Sequence, residues 1–345
     1  MAAIVACLAP GAAHAQVMAT QTAFRFPAIT LLEVNPPKPL AIEADGVRVS
    51  VTSGIGTDRE DPFRKAFAPA APRVVAPFQD QRSGTRPILA TSVFDHGMGM
   101  LVHANFNDDL TLAAGAYDLL GPELRAIAEI DPRRTDSTAS YARIGTGFSA
   151  GTHEFDFGIT YASAQYSPQF GIGTVNGIFG RNRFTDTRVD LGYRTGIGGP
   201  RALWVQASWI RETQDLSGFA AQGAATHRTA GLQLARLSVS YLHDSALRLT
   251  MTAQQIWGTA DRAVFAPNPG SGSRNGRPDS RAVVTELTWT PFADRGPGAG
   301  PWRSLRFGAQ YTAWLQFNGA TRNYDGFGTK ASANNMAYLY AALRF

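Results

Sequence analysis

Between residues 183 and 194 the chain sets Asp186, Arg188, Asp190 and Arg194 on one parity, and this spacing is the first sign of chemistry. Side chains two apart in a strand share a face, so the four would form a ladder of alternating sign along one side of a strand. Arg143, Glu154, Asp156, Glu212, Arg236, Arg248, Glu286, Arg306 and Arg344 likewise oppose apolar neighbours in alternating segments. Seven of these thirteen groups are basic and six acidic, so no strong ion selectivity follows. Charges so arranged could line a polar conduit and tune the solutes that pass. They could equally pair with one another and fill the space they face.

Other chemistry finds little support. Asp95-His96-Gly97-Met98-Gly99-Met100, with His103, offers imidazole and thioether groups of the kind that bind soft metals, but Met98 and Met100 share a parity with Val102 and Phe106 and read as an apolar face. His153, His227 and His243 have no ligand spacing, the glycine pairs precede no helix, and no Gly-x-Ser-x-Gly elbow occurs. The chain is expected to hold no metal and no cofactor and to have no enzymatic activity.

Strands must position the ladder. The clearest is 303–317, with Leu305, Phe307, Ala309, Tyr311, Ala313, Leu315 and Phe317 on one face and Arg306, Gln310, Thr312 and Gln316 on the other. The segments 246–257, 183–194, 153–162, 202–212 and 281–291 repeat the alternation, and 98–106, 109–118, 139–148 and 229–242 do so less cleanly. The last, 335–345, alternates to its end at Phe345 and resembles the terminal strand of bacterial outer-membrane barrels, where it serves as the assembly signal read by the barrel assembly machinery. Connections alternate long and short back from Phe345, the pattern of barrels with short periplasmic turns and long external loops. With 41–53 as the first strand, the chain is expected to form an all-β, antiparallel transmembrane β-barrel of about 12 strands, with 14 as the alternative, closed because lipid tolerates no open edge. Residues 54–87 would be the first external loop, with the next strand beginning as early as Ile88. Tyr193, Trp209, Tyr241, Trp257 and Trp289 would form interfacial girdles on the outward face.

Composition fits that picture. The chain has 345 residues, is 44% hydrophobic, and contains no run of 18 apolar residues that would make a spanning helix. Its net charge of +5 comes from scattered arginines rather than a cluster, so nucleic acid is not an expected partner. Residues 1–15 end in Ala13-His14-Ala15 and read as a signal peptide, residues 16–40 as a Pro-rich periplasmic lead-in, and 41–345 as the barrel. The one cysteine, Cys7, falls inside the signal segment, so a mature chain would have neither disulfide nor thioether-linked haem. Outer-membrane lipid and the barrel assembly machinery are the expected partners, and the bacterial outer membrane the expected location.

Residues 317–345 (FNGATRNYDGFGTKASANNMAYLYAALRF), with RFTDTRVDLGYR at 183–194, SWIRETQDL at 208–216 and PDSRAVVTELTWTPF at 278–292, resemble the porin portion of bacterial outer-membrane fusions of a single c-type haem domain to a barrel. The resemblance spans most of 45–345. It implies a barrel fold and, since some members pass electrons inward from extracellular ferrous iron, a periplasmic cytochrome as partner. This chain departs from the family by lacking the Cys-x-x-Cys-His haem motif and the strands that follow it, so no haem residue carries over. It would be a haem-free relative or the remainder of a truncated gene. The function expected is a porin-like polar conduit for small solutes, with a haem-free component of an electron-transfer conduit as the alternative.

Overall fold

A computed structural model describes residues 3–8, 40–44, 47–55, 87–90, 98–106, 110–118, 138–166, 182–244, 246–293, 302 and 305–344. They form one antiparallel sheet of 14 strands: β1 Ala3–Leu8, β2 Leu40–Ala44, β3 Val47–Ile55, β4 Met98–Phe106, β5 Leu110–Asp118, β6 Thr138–Ala150, β7 His153–Tyr166, β8 Asn182–Gly196, β9 Ala202–Asp215, β10 Thr229–Leu242, β11 Leu247–Gly258, β12 Ser280–Trp289, β13 Arg306–Gln316 and β14 Met336–Arg344. From β2 to β14 each strand pairs with its neighbour in the sequence, and β1 pairs with β14. All twelve strands expected from alternation are present, as β3 to β14.

Three differences carry physical content. The expected strand 41–53 is two, because the chain reverses between Ala44 and Val47, which pair with one another. Asp45-Gly46 stands between them, the residue pair best suited to a two-residue hairpin. Residues 3–8, assigned to the signal peptide, are a strand registered on β14 from Ala3 opposite Arg344 to Leu8 opposite Leu339. Closure is the third: among the described residues no pairing joins β1 to β2, so the sheet has two ends. These end strands have six and five residues, short of the roughly 9–11 that cross a membrane. They are the edges that closing the cylinder would bring together. Phe345 and residues 16–39 lie outside the described residues.

Alternation decides which face meets what. Met100, Val102, Leu112, Ile144, Phe157, Ile159, Leu191, Leu237, Val239, Leu249, Met251, Leu287 and Leu339 are all exposed, and the register sets them on one face of the sheet. Large exposed apolar patches are rare on water-soluble monomers. A belt running from β4 to β14 is the surface of a protein that sits in lipid.

Aromatic residues edge this belt. Phe148 stacks on Phe155 (4.9 Å between ring centroids), Phe155 meets Tyr193 (5.1 Å), and Trp289 meets Phe307 (5.9 Å), all at the ends served by the short turns. Towards the long loops, Trp209 donates from Nε1 to Gln233 Oε1 at 3.3 Å. Gln233 to Tyr241 is eight residues along β10, about 26 Å of strand. The molecule is a bacterial outer-membrane β-barrel protein with this belt in the bilayer. Leu191→Arg, in the middle of the belt, should destabilise the folded state by about 2–4 kcal/mol, read as a lower urea midpoint in lipid vesicles. An unchanged midpoint would mean that Leu191 does not face hydrocarbon.

The described long connections, 216–228, 259–279 and 318–335, hold a short helix, Ser217–Ala221, and a 3-10 turn, Ala331–Asn334, and are tied to one another by side chains. Asn318, at φ 41°, donates from Nδ2 to the carbonyls of Ser271 (2.8 Å) and Gly272 (3.1 Å), and Tyr324 donates its hydroxyl to the Gly270 carbonyl at 2.8 Å. Asp261 accepts from the backbone N–H groups of Thr226, His227, Ala263 and Val264 at 2.8–3.2 Å, tying the 216–228 and 259–279 connections together. Asp325 does the same for 259–279 and 318–335, accepting from Gly270 N (3.0 Å), Phe327 N (2.9 Å), Thr329 N (3.1 Å) and the Thr329 hydroxyl.

Burial pushes the Asp325 pKa up, but those donors stabilise the carboxylate more and bring it from 3.8 down to about 2. A depressed carboxylate pKa contributes stability above the unfolded value, lost as pH falls through the folded one. The loop lattice should therefore persist through pH 4 and loosen only as pH approaches 2. Hydrogen exchange at the Gly270 and Thr329 amides reads this directly. Protection that vanishes well above pH 4, or that survives Asp325→Asn unchanged, would contradict the assignment.

Candidate functional site

The other face of the sheet carries the charges. By register, Arg143, Glu154, Asp156, Asp186, Arg188, Asp190, Arg194, Glu212, Arg236, Arg248, Glu286, Arg306 and Arg344 all lie on the parity opposite the belt, as the sequence indicates. The side chain of Arg344 lies outside the described residues. Sequence alone does not say which of them meet, and the structure sorts them into three levels.

Midway along the wall, Arg143 donates from Nη1 to Asp190 Oδ2 (2.9 Å) and Thr160 Oγ1 (2.6 Å), with side-chain exposures of 3% and 4% for the two ions. Arg188 Nε meets the other oxygen of Asp190 at 2.5 Å. Glycine makes the room for this: a Cβ on Gly158 would run into the Arg143 guanidinium. Asp156 faces inward beside Gly147, again with no side chain between. A buried carboxylate held by two guanidiniums is tolerated because each charge is paired and hydrogen-bonded. This level is a brace of paired charges, the pairing that the sequence left as one of two readings.

Towards the external loops, Asp186 and Glu212 are buried directly opposite one another on β8 and β9. Glu212 accepts from Gln214 Nε2 at 2.5 Å, and Asp186 accepts from the backbone N–H of Leu89 at 2.7 Å. That donor belongs to a short 3-10 turn, Ile88–Ala90. The sequence reading allowed a strand to begin as early as Ile88, following an external loop. Instead, the turn lies on the inner face. Leu89 packs against Ala139, Ala162 and Ala164 of β6 and β7, and with Ala90 against Ile210, Leu232, Leu234 and Ile256 of β9 to β11. One leucine thus packs against apolar clusters on both β6–β7 and β9–β11, so it stands across the inside of a curved wall. The apolar inner residues that receive it have no place in a wet ladder, and Leu232, Leu234 and Ile256 breaking the polar parity is the signal that could have announced an inserted segment.

At the end served by the short turns, Arg194 Nη1 reaches Glu154 Oε2 at 3.4 Å, and both are well exposed. Trp204, 5% exposed, shares their face, and the guanidiniums of Arg194 and Arg248 lie 5.7 and 4.3 Å from its ring centroid. Trp204 was missed, although it has the parity of Glu212. Tyr340 lies over Gly308, where a Cβ would strike its ring, and donates its hydroxyl to Glu286 at 2.6 Å. Arg236 Nη2 comes within 3.5 Å of Gln254 Oε1. His103 is on the inner face opposite Ala113, and Met100 is 57% exposed on the outer face, so the two point to opposite sides of β4. Among the described residues no group of three metal-ligating side chains occurs.

No known protein family's sequence profile matches the chain, and no curated protein matches it. Outer-membrane proteins are among the solved structures similar to it. Outer-membrane expressed OmpT of Vibrio cholerae aligns at 12% identity over 88% of this chain and 78% of its own, TM-score 0.42, and the in-vitro folded form of that protein at 10% identity over 88% and 98%, TM-score 0.28. An outer-membrane channel from Pseudomonas putida F1 aligns at 13% identity over 72% and 84%, TM-score 0.34. The fold assignment stands on the register and the belt, not on these likenesses. The expectation of a chain without enzymatic activity is corrected by the OmpT likeness, which itself establishes no protease activity.

Proposed function

We propose that this barrel is a porin-like conduit for small polar solutes, narrowed by an inserted apolar turn. The observation that carries the reading is the inner wall: ionisable side chains at three levels on one face, with a segment reaching across it, among the described residues, at one of those levels. A barrel filled solely for stability would be expected to pack its interior throughout, whereas here Arg188, Arg194, Glu154 and Arg236 keep substantial exposure on that face.

Purified full-length protein in planar lipid bilayers should give discrete conductance steps that scale with salt concentration. Silence over a wide range of salts and voltages would sink the reading. In the cell the expected partners are outer-membrane lipid and the barrel assembly machinery acting on the terminal strand, with a leader removed after Ala15. Such a cut would also remove β1, and sequencing the N-terminus of the membrane-inserted protein tells whether Ala3–Leu8 stays in the wall. The link to cytochrome–porin fusions, and a periplasmic cytochrome as partner, rests on resemblance. It predicts haem absorbance in material pulled down from membranes, and a colourless preparation argues against it.

A further inference from the structure

The inner wall is not electrically uniform once its pairs are removed from the account. From β6 to β9 the inward arginines meet carboxylates: Arg143 and Arg188 hold Asp190, and Arg194 reaches Glu154. From β10 to β13 the inward charges are three arginines, Arg236, Arg248 and Arg306, and one carboxylate, Glu286, whose Oε1 accepts from Tyr340. Among the described residues neither Arg248 nor Arg306 forms an ion pair.

Arg248 stands opposite Thr288, Thr288 opposite Gly308, and Arg306 precedes Gly308 by two residues on the same face, so the two cations sit near one another at the end served by the short turns. Glu286 and Tyr340 lie on the same face beside them, and Arg194 approaches the far side of the cluster over Trp204. What holds Arg248 in place is the indole of Trp204, 4.3 Å away. A guanidinium lying on an aromatic face is positioned without being neutralised, and its N–H edge stays available for an oxygen ligand.

We propose that Arg248 and Arg306, with Trp204 as the platform, form a subsite for an oxyanion of the carboxylate or phosphate type on the inner wall near the periplasmic mouth. Each guanidinium supplies charge-assisted hydrogen bonds, and Glu286, engaged by Tyr340, leaves the pair with a net positive charge. The conduit of the preceding section would therefore favour anions despite the near balance of its thirteen ladder residues.

The test uses the full chain in detergent micelles, titrated separately with acetate and with inorganic phosphate, following tryptophan fluorescence with Trp204→Phe as the reference for the site. At least one anion should change the Trp204 signal, the stronger arm naming carboxylate or phosphate, and Arg306→Gln alone should weaken that binding about tenfold or more, the loss expected for charge-assisted hydrogen bonds. Arg248→Gln/Arg306→Gln should abolish it, folding being checked by gel mobility. Titrations that leave the signal unmoved, or that are the same in wild type and Arg306→Gln, overturn the subsite. Bilayer reversal potentials under a potassium chloride gradient separate this idea from the reading it deepens. Steps with anion preference that falls in Arg306→Gln support both. Steps with cation preference overturn the subsite and leave the conduit standing. Binding without any steps supports the subsite and removes the conduit.

Discussion

Leu89→Asp should raise single-channel conductance several-fold over the wild type. Leu89 holds the inserted turn by packing against small apolar residues of β6 and β7 and larger ones of β9 to β11, while its N–H is spent on Asp186. A carboxylate at that position would have to leave water for an apolar pocket, at a cost of several kcal/mol, and would sit beside the buried Asp186 and Glu212. On the proposed conduit reading, the turn should leave the wall and widen the passage at that level. Leu89→Met, close in volume and still apolar, should keep the wild-type steps. Equal conductance in wild type and Leu89→Asp would show that the turn does not set the narrow point.

Arg143→Leu should be the most damaging single change to stability. It leaves Asp190, only 3% exposed, with Arg188 as its remaining counter-ion, and breaking a buried pair from one side costs about 3–5 kcal/mol. The remaining contact with Arg188 puts the expected loss at the lower end. Arg143→Leu/Asp190→Leu should recover part of it, since both buried ions are replaced by apolar groups and the charge left without its partner, Arg188, is about one-third exposed. Urea unfolding in lipid vesicles, followed by fluorescence, measures all three proteins. Additive losses in the double variant would mean that the two residues do not act as a pair, and the brace across β6 to β8 would have to be given up.

Period-two alternation was enough to find twelve strands and to put thirteen charges on one parity, because lipid on one side and water on the other impose opposite demands on adjacent residues. Val189, Leu191 and Tyr193 against Asp186, Arg188 and Asp190 could hardly be arranged otherwise. Which charges meet depends on how neighbouring strands slide past one another, and no single strand records that. The Arg143–Asp190 pair, 47 residues apart, and the stack of Arg248 on Trp204 were therefore invisible. The inserted turn was missed for another reason: a proline-rich stretch after a strand reads as an outside loop, and only the apolar inner residues on β9 to β11 betray that something returns to cover them. The hairpin at Asp45-Gly46 was within reach of turn chemistry, but a continuous alternating run suggested a single strand.

Among the described residues each strand from β3 to β13 pairs with those before and after it in the chain, so the wall is a row of local hairpins, and one pairing, β1 with β14, links the two ends of the polypeptide. Such a wall can grow during folding by adding one hairpin at a time, with a single long-range step at the finish, where loop-closure entropy is concentrated. Its circumference is in effect countable: deleting or duplicating one hairpin would change the girth by two strands while leaving every other neighbour relation intact. A lineage could retune what fits through by losing or gaining such units, long before any individual side chain had to change.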